Sequence, residues 1–127
     1  MIKGTFLWSF LLCMLALPSV AQVVYDVTAE GAVGDGKTDD AQAIQRTIDR
    51  CSSEGGGIVL FPRNHTFLAG PIELKSNVEL HLEATATLKA NPDESIYRLS
   101  AFGENRGEGM LWLYANDAEN ISITGKG

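Results

Sequence analysis

Val59 and Phe61 are followed 21 residues later by Leu80 and Leu82, and Phe67 is followed by Leu88 at the same interval. Leu80 is followed 43 residues later by Ile123, close to two further steps. A period near 21 residues lies in the range of solenoids, where each coil presents a few inward apolar residues and stacks on its neighbour. The segments at these positions have the local pattern of strands with one buried face. Val78, Leu80 and Leu82 alternate with Glu79, His81 and Glu83, and Ile121 and Ile123 alternate with Ser122 and Thr124. Leu111 and Leu113 alternate in the same way with Trp112 and Tyr114. Residues 58–61 form an apolar run stopped by Pro62, and residues 23–27 read as an earlier short strand. The spacing predicts an all-β solenoid, a right-handed single-stranded parallel β-helix. A β-sandwich with irregular loops is the competing arrangement.

One strong helix precedes the strands. Residues 31–37 read as a loop, after which Thr38 or Asp39 caps a helix running to about Cys51, with Gln42 three residues beyond Asp39. Ala41, Ile44, Ile48 and Cys51 share one apolar face. Ser52, Ser53, Glu54 and the triplet Gly55, Gly56, Gly57 end the helix. A helix in this position covers the open edge of the first coil. Residues 89–109 interrupt the strand pattern with a polar, glycine-rich tract containing Arg98 and Arg106, a long loop leaving one coil.

The N-terminus has the layout of a secretory signal peptide: Lys3, an apolar run over residues 6–17, Pro18, then Ser19, Val20 and Ala21. Residues 1–21 are therefore expected to be removed after Ala21, placing the mature chain outside the cytoplasm, secreted or periplasmic. The apolar run falls short of the roughly 20 residues that a membrane span needs. Bulky Leu12 argues against lipidation at Cys13. Cleavage removes Cys13 and leaves Cys51 alone, so no intramolecular disulfide is expected and Cys51 reads as a small apolar core residue. The net charge of −6 excludes a basic nucleic-acid-binding module, and an acidic substrate would need a local basic patch. No Cys or His cluster has zinc spacing, so neither a metal nor an organic cofactor is expected.

Gly31 to Thr38 fits the phosphate-loop pattern G-x-x-x-x-G-K-[ST] letter for letter. Such a loop aims backbone N–H groups and a lysine at phosphate charge, yet Asp35, Asp39 and Asp40 would face the incoming phosphates here. As helix caps the same acids are favourable. Repeated βα units are missing, so nucleotide is not expected as a partner. Asp39 and Asp40 also do not read as an acid/base pair, because adjacent helical side chains diverge by about 100°. His65 and His81 read as surface residues. Asn64-His65-Thr66 and Asn120-Ile121-Ser122 match the glycosylation sequon.

Tyr25-Asp26-Val27, Gly31-Ala32, Gly34 through Asp40, Ala43-Ile44-Gln45 and Gly55-Gly56-Gly57-Ile58-Val59 together resemble the N-terminal segment of the pectate-lyase-like β-helix superfamily. Ala69-Gly70-Pro71-Ile72-Glu73-Leu74-Lys75-Ser76-Asn77-Val78-Glu79-Leu80-His81-Leu82-Glu83 and Ala86-Thr87-Leu88 are more selective. With Tyr114-Ala115 and Glu119-Asn120-Ile121-Ser122-Ile123-Thr124-Gly125-Lys126-Gly127 they resemble the polygalacturonases, glycoside hydrolase family 28. The resemblance covers residues 24–127.

It implies inverting hydrolysis of α-1,4-galacturonosyl bonds in pectic polysaccharide, homogalacturonan or rhamnogalacturonan. The family's catalytic groups lie in Asn-Thr-Asp, Asp-Asp, Gly-His-Gly and Arg-Ile-Lys motifs of later coils, and none of these carries over. Asn116-Asp117 is not an Asn-Thr-Asp, and Asp39-Asp40 belongs to the cap. The expectation is therefore the N-terminal cap and first coils of an incomplete domain over residues 22–127. It holds no catalytic, cofactor or metal residue, is inactive alone, and leaves its substrate-binding residues unknown. A full-length enzyme is expected to be a monomer, with no nucleic acid, nucleotide or membrane partner after signal cleavage. The alternatives are a non-catalytic β-helix that binds carbohydrate or acts as an adhesin, and a related lyase using Ca²⁺ and β-elimination.

Overall fold

The computed structural model describes residues 21–99 and 110–127. Residues 1–20 of the expected leader, and Arg106, lie outside them. The chain runs through β1 (Val24–Asp26), a short 3-10 helix (Val27–Glu30), β2 (Asp35–Asp39) and α1 (Ala41–Ser53). Next come β3 (Gly57–Phe61), β4 (Thr66–Ala69), β5 (Ile72–Leu74), β6 (Val78–Leu82) and β7 (Thr87–Ala90). A second 3-10 turn (Glu94–Ile96) leads to β8 (Arg98–Leu99), β9 (Met110–Leu111), β10 (Leu113–Ala115) and β11 (Ser122–Gly125).

Successive coils pair in parallel and build three sheets, ordered β1-β3-β6-β11, β2-β4-β7 and β5-β10. The ladders reproduce the sequence spacing residue for residue. Val59 pairs with Leu80 and Phe61 with Leu82, Phe67 with Leu88, and Leu80 with Ile123. The period is thus the length of one coil, and the chain is a right-handed parallel β-helix. The next coil is longer: β5 meets β10 at an offset of 41 residues, whereas β6 meets β11 at 43. Asn116 and Asp117 supply the difference, with Asp117 in a left-handed conformation at φ 46°.

The core lies between the three sheets. Val59, Phe61, Phe67, Ile72 and Leu80 are fully buried, and the rings of Phe61 and Phe67 meet edge to face at 5.4 Å. α1 closes the first coil with the expected face, burying Ile44, Ile48 and Cys51 together with Ala43 and Thr47. The Thr47 hydroxyl donates to the Ala43 carbonyl at 2.8 Å, so its burial strands no polar group. A helix this short owes its stability to that packing.

α1 stands where the first coil would otherwise put a third strand, and one of its side chains takes over that strand's hydrogen bonds. Gln45 Nε2 donates to the Glu73 carbonyl at 3.0 Å, and the Glu73 N–H donates to Gln45 Oε1 at 2.8 Å. The edge of β5 is thereby paired without a strand. Beside it, Ser52 Oγ donates to the Ser76 carbonyl.

The corners between coils stack as columns. Gly56, Asn77 and Asn120 all have positive φ, at 93°, 64° and 58°. Glycine is required at the first, because a Cβ there would be driven onto the Asn77 carbonyl. Asn120 Nδ2 donates to Asn77 Oδ1 at 3.1 Å. At another corner Asn64 and Thr85 form a similar left-handed pair, with the Thr85 hydroxyl donating to Asn64 Oδ1 at 2.8 Å.

Five expectations need correction. Asp35 to Lys37 are not loop but the first part of β2, whose register on β4 shifts between Asp35 and Asp39. The N-cap of α1 is Asp40, because Asp39 is still held in the ladder opposite Leu68. Val27 ends the first strand early by opening the 3-10 helix. The alternating segment around Leu111 and Leu113 is two strands: β9 pairs antiparallel with β8, whereas β10 pairs parallel with β5. The break falls at Trp112, whose Nε1 donates to the Ala69 carbonyl at 3.0 Å. Ile123, on the alternating apolar face of its strand, is 56% exposed.

Candidate functional site

The acid-rich tract before α1 is occupied by its own backbone. Asp40 is only 3% exposed and accepts the Val33 and Gly34 N–H groups at 2.8 and 2.9 Å. Asp35 accepts the Thr38 and Lys37 N–H groups, which hold its carboxyl below the usual aspartate range. Asp39 accepts the Ala41 N–H through Oδ1, and the Gly70 N–H and Asn91 Nδ2 through Oδ2. The N–H groups that a phosphate loop would aim at a ligand are donated here to carboxylates of the same segment. Asp39 and Asp40 face different partners rather than one bond.

A second network is structural. The Tyr25 hydroxyl donates to Glu54 Oε2 at 2.6 Å, and Arg50 reaches Glu30 at 2.9 Å and Glu54 at 3.2 Å. The Tyr25 hydroxyl and the guanidinium beside it hold the Glu54 carboxyl below its ordinary value. Cys51 is a free, buried thiol that desolvation pushes up, consistent with a core role. His65 stacks on Phe67 at 5.5 Å, and its Nδ1 lies 2.7 Å from the Arg63 carbonyl oxygen.

The outer surface of the β1-β3-β6-β11 sheet offers a different environment. An open groove of about 490 Å³ is lined by Arg63, His81, Glu83, Ala84, Gly125 and Lys126. Arg63 comes from the turn after β3, His81 from the outward face of β6, and Lys126 directly follows β11. Glu83 Oε2 accepts the Arg63 N–H at 3.0 Å and lies 3.5 Å from its Nε. The Lys126 N–H is held by the Leu82 carbonyl at 3.0 Å, which fixes the base of its side chain. Behind the groove, Thr124 Oγ1 donates to Glu79 Oε1 at 2.6 Å and lies 2.8 Å from His81 Nδ1. Two cations and an imidazole thus gather on an acidic chain, an arrangement suited to gripping an anion. No group of three or more metal-binding side chains occurs among the described residues.

Sequence reasoning placed His81 correctly on the outward face but did not connect it to Arg63 or Lys126. The signal was present in the 43-residue interval, which sets Thr124 directly opposite His81. Arg98 lies in β8, at the base of the excursion from the second coil.

Residues 24–119 match the family described as rhamnogalacturonase A/epimerase, pectate lyase-like. A probable polygalacturonase of Arabidopsis thaliana is 30% identical over 129 aligned residues, covering 98% of this chain and 26% of the relative. The exopolygalacturonase of Thermotoga maritima superimposes with a TM-score of 0.67 at 38% identity, over 85% of this chain and 24% of that structure. Plasmin and fibronectin-binding protein A of Streptococcus pneumoniae is 46% identical over 102 residues, covering 75% of this chain and 14% of the relative. The chain spans about a quarter of the polygalacturonase relative's length. The parallel coils, the helical cap and the match over residues 24–119 lead to one assignment: the chain belongs to the rhamnogalacturonase A/epimerase, pectate lyase-like family.

Proposed function

We propose that residues 22–127 are the N-terminal cap and first coils of an exported glycoside hydrolase that cleaves α-1,4-galacturonosyl bonds of pectic polysaccharide with inversion. The observation that carries this reading is the likeness to polygalacturonases at 30% and 38% identity over most of the chain. The acids support the division of labour. Inverting hydrolysis needs two carboxyls flanking a bond at roughly 6.5–9.5 Å, one to protonate the leaving oxygen and one to activate water. Asp35, Asp39 and Asp40 are committed to backbone N–H groups of the cap, so acid/base chemistry falls to other coils. Those commitments also argue against a nucleotide in the phosphate-loop-like tract.

Export through residues 1–21, cleavage after Ala21, a monomeric full-length enzyme and the absence of a cofactor belong to the same proposal. No helix among the described residues is long and apolar enough to cross a membrane. The test is to translate the reading frame beyond the Gly127 codon and assay both products on polygalacturonate for reducing ends. The longer product is expected to release them and the 127-residue chain is not. Turnover by the short chain alone would refute the division of labour. Ultraviolet-absorbing unsaturated product would replace hydrolysis by elimination. The identity with the pneumococcal plasmin- and fibronectin-binding protein favours a second reading, a non-catalytic, adhesin-like surface β-helix. Binding to immobilised plasmin or fibronectin with no product from either chain would select it.

A further inference from the structure

We infer that the groove between Arg63, His81 and Lys126 is a binding subsite for one acidic sugar unit, taking its carboxylate on the two cations and a ring hydroxyl on His81 Nε2. The argument starts from one proton. The Thr124 hydroxyl has a single hydrogen, and it is donated to Glu79 Oε1 at 2.6 Å. The contact of 2.8 Å between Thr124 Oγ1 and His81 Nδ1 must then run the other way, with Nδ1–H as donor. Nδ1 of His81 therefore carries a proton directed at Thr124, with Glu79 Oε1 4.0 Å away, and in the neutral ring this leaves Nε2 as a hydrogen-bond acceptor. A sugar hydroxyl can donate to such an acceptor, whereas a free carboxylate cannot.

The cations complete the match. Arg63, which lines the groove, is engaged by one carboxylate, Glu83, through Nε at 3.5 Å, and its terminal N–H groups have no salt-bridge partner among the described residues. Lys126 is anchored through its backbone to the Leu82 carbonyl, and no carboxylate lies within salt-bridge distance of its ammonium among the described residues. The groove is open, as a site for one unit of a longer chain must be, and its lining runs from the turn after β3 across β6 to β11. Glu79 and Thr124 act as positioning residues through His81 and do not touch the sugar. That the acidic sugar is galacturonate rests on the pectic reading above; the carboxylate-plus-hydroxyl chemistry does not.

The test is a titration of the full chain with a short oligogalacturonate, its methyl ester and a sulfated galactan oligosaccharide, following the His81 ring by nitrogen NMR. The free protein is expected to show the Nδ1–H tautomer, and Thr124→Val to lose that preference with the fold intact. Oligogalacturonate is expected to shift the His81 ring signals, and the ester to do so far less. Arg63→Gln and Lys126→Gln are each expected to weaken binding about 2- to 5-fold, with stronger weakening as salt rises. Oligogalacturonate that binds without moving His81, or binds both variants as tightly as the parent, overturns the subsite and leaves the pectic reading in place. A sulfated galactan that moves His81 where oligogalacturonate does not overturns the carboxylate subsite, because a sulfate ester then takes the place of the carboxylate. No response to any acidic oligosaccharide overturns the subsite.

Discussion

Replacing Gln45 by Ala removes the side chain that stands in for a missing strand. Its two hydrogen bonds to the Glu73 backbone, at 2.8 and 3.0 Å, are each worth about 1 kcal/mol net. Glu73 is half-buried, so water replaces them only in part. Alanine returns a few tenths of a kcal/mol through higher helix propensity. The expected net loss is about 2 kcal/mol, large against the margin of a small domain. Gln45→Met keeps the length and apolar stem but no polar end, and is expected to match Gln45→Ala if hydrogen bonding rather than packing is at stake. Gln45→Glu keeps the acceptor for the Glu73 N–H but sets a carboxylate against the Glu73 carbonyl and beside Asp49, and is expected to lose at least half as much. Urea unfolding with linear extrapolation measures the loss, and hydrogen exchange at the Glu73 amide locates it. A Gln45→Ala chain within about 0.5 kcal/mol of the parent, with the Glu73 amide still protected, would refute the strand-surrogate argument.

Three further outcomes follow from the same geometry. Asp40→Asn turns an amide NH₂ toward one of the two N–H groups that the carboxylate accepts, and is expected to cost about 2 kcal/mol in urea unfolding; a cost near zero would mean that water already serves Val33 and Gly34. The folded-state value of Glu54 is depressed, so its contribution is fully present above the unfolded value and is lost as pH falls through the lower folded one. Tyr25→Phe is expected to raise the Glu54 carboxyl titration toward the ordinary range, and an unmoved NMR midpoint would contradict the Tyr25 contribution. Gly125→Ala drives a Cβ onto the Leu82 carbonyl at a φ of 112°, so the Lys126 and Gly127 amides should lose their bonds to Leu82 and exchange faster while the Leu80 amide stays protected.

The coil path was legible because a solenoid turns distance along the chain into distance across a ladder. Once Val59, Leu80 and Ile123 are read as one column, every outward neighbour is placed as well, and His81 falls opposite Thr124. The same logic explains what was not legible. An offset is readable only while coils keep one length, and the excursion after β7 changes it to 41 on one face and 43 on another. The alternation at Leu111 and Leu113 therefore suggested one strand where the chain changes partners at Trp112. Nor does periodicity reveal substitution of one kind of element for another. Nothing in Gln45 as a helical residue announces that it completes a sheet.

The misread tract at residues 31–40 shows why composition and pairing can disagree. Glycine and aspartate disfavour strands, so Asp35, Gly36 and Lys37 read as loop, and with Gly31 and Thr38 they spell a phosphate cradle. The two readings differ in where the anion comes from. A cradle leaves its N–H groups open for a ligand's charge, whereas here Asp35, Asp39 and Asp40 fold back and supply that charge from within. The irregular β2 ladder follows from this. Its interior N–H groups are drawn to Asp35 instead of to β4, so β2 pairs at Asp35 and Asp39 and slips between them. A tract rich in residues that oppose strands can still occupy a strand position, because its own carboxylates satisfy the N–H groups that the ladder misses.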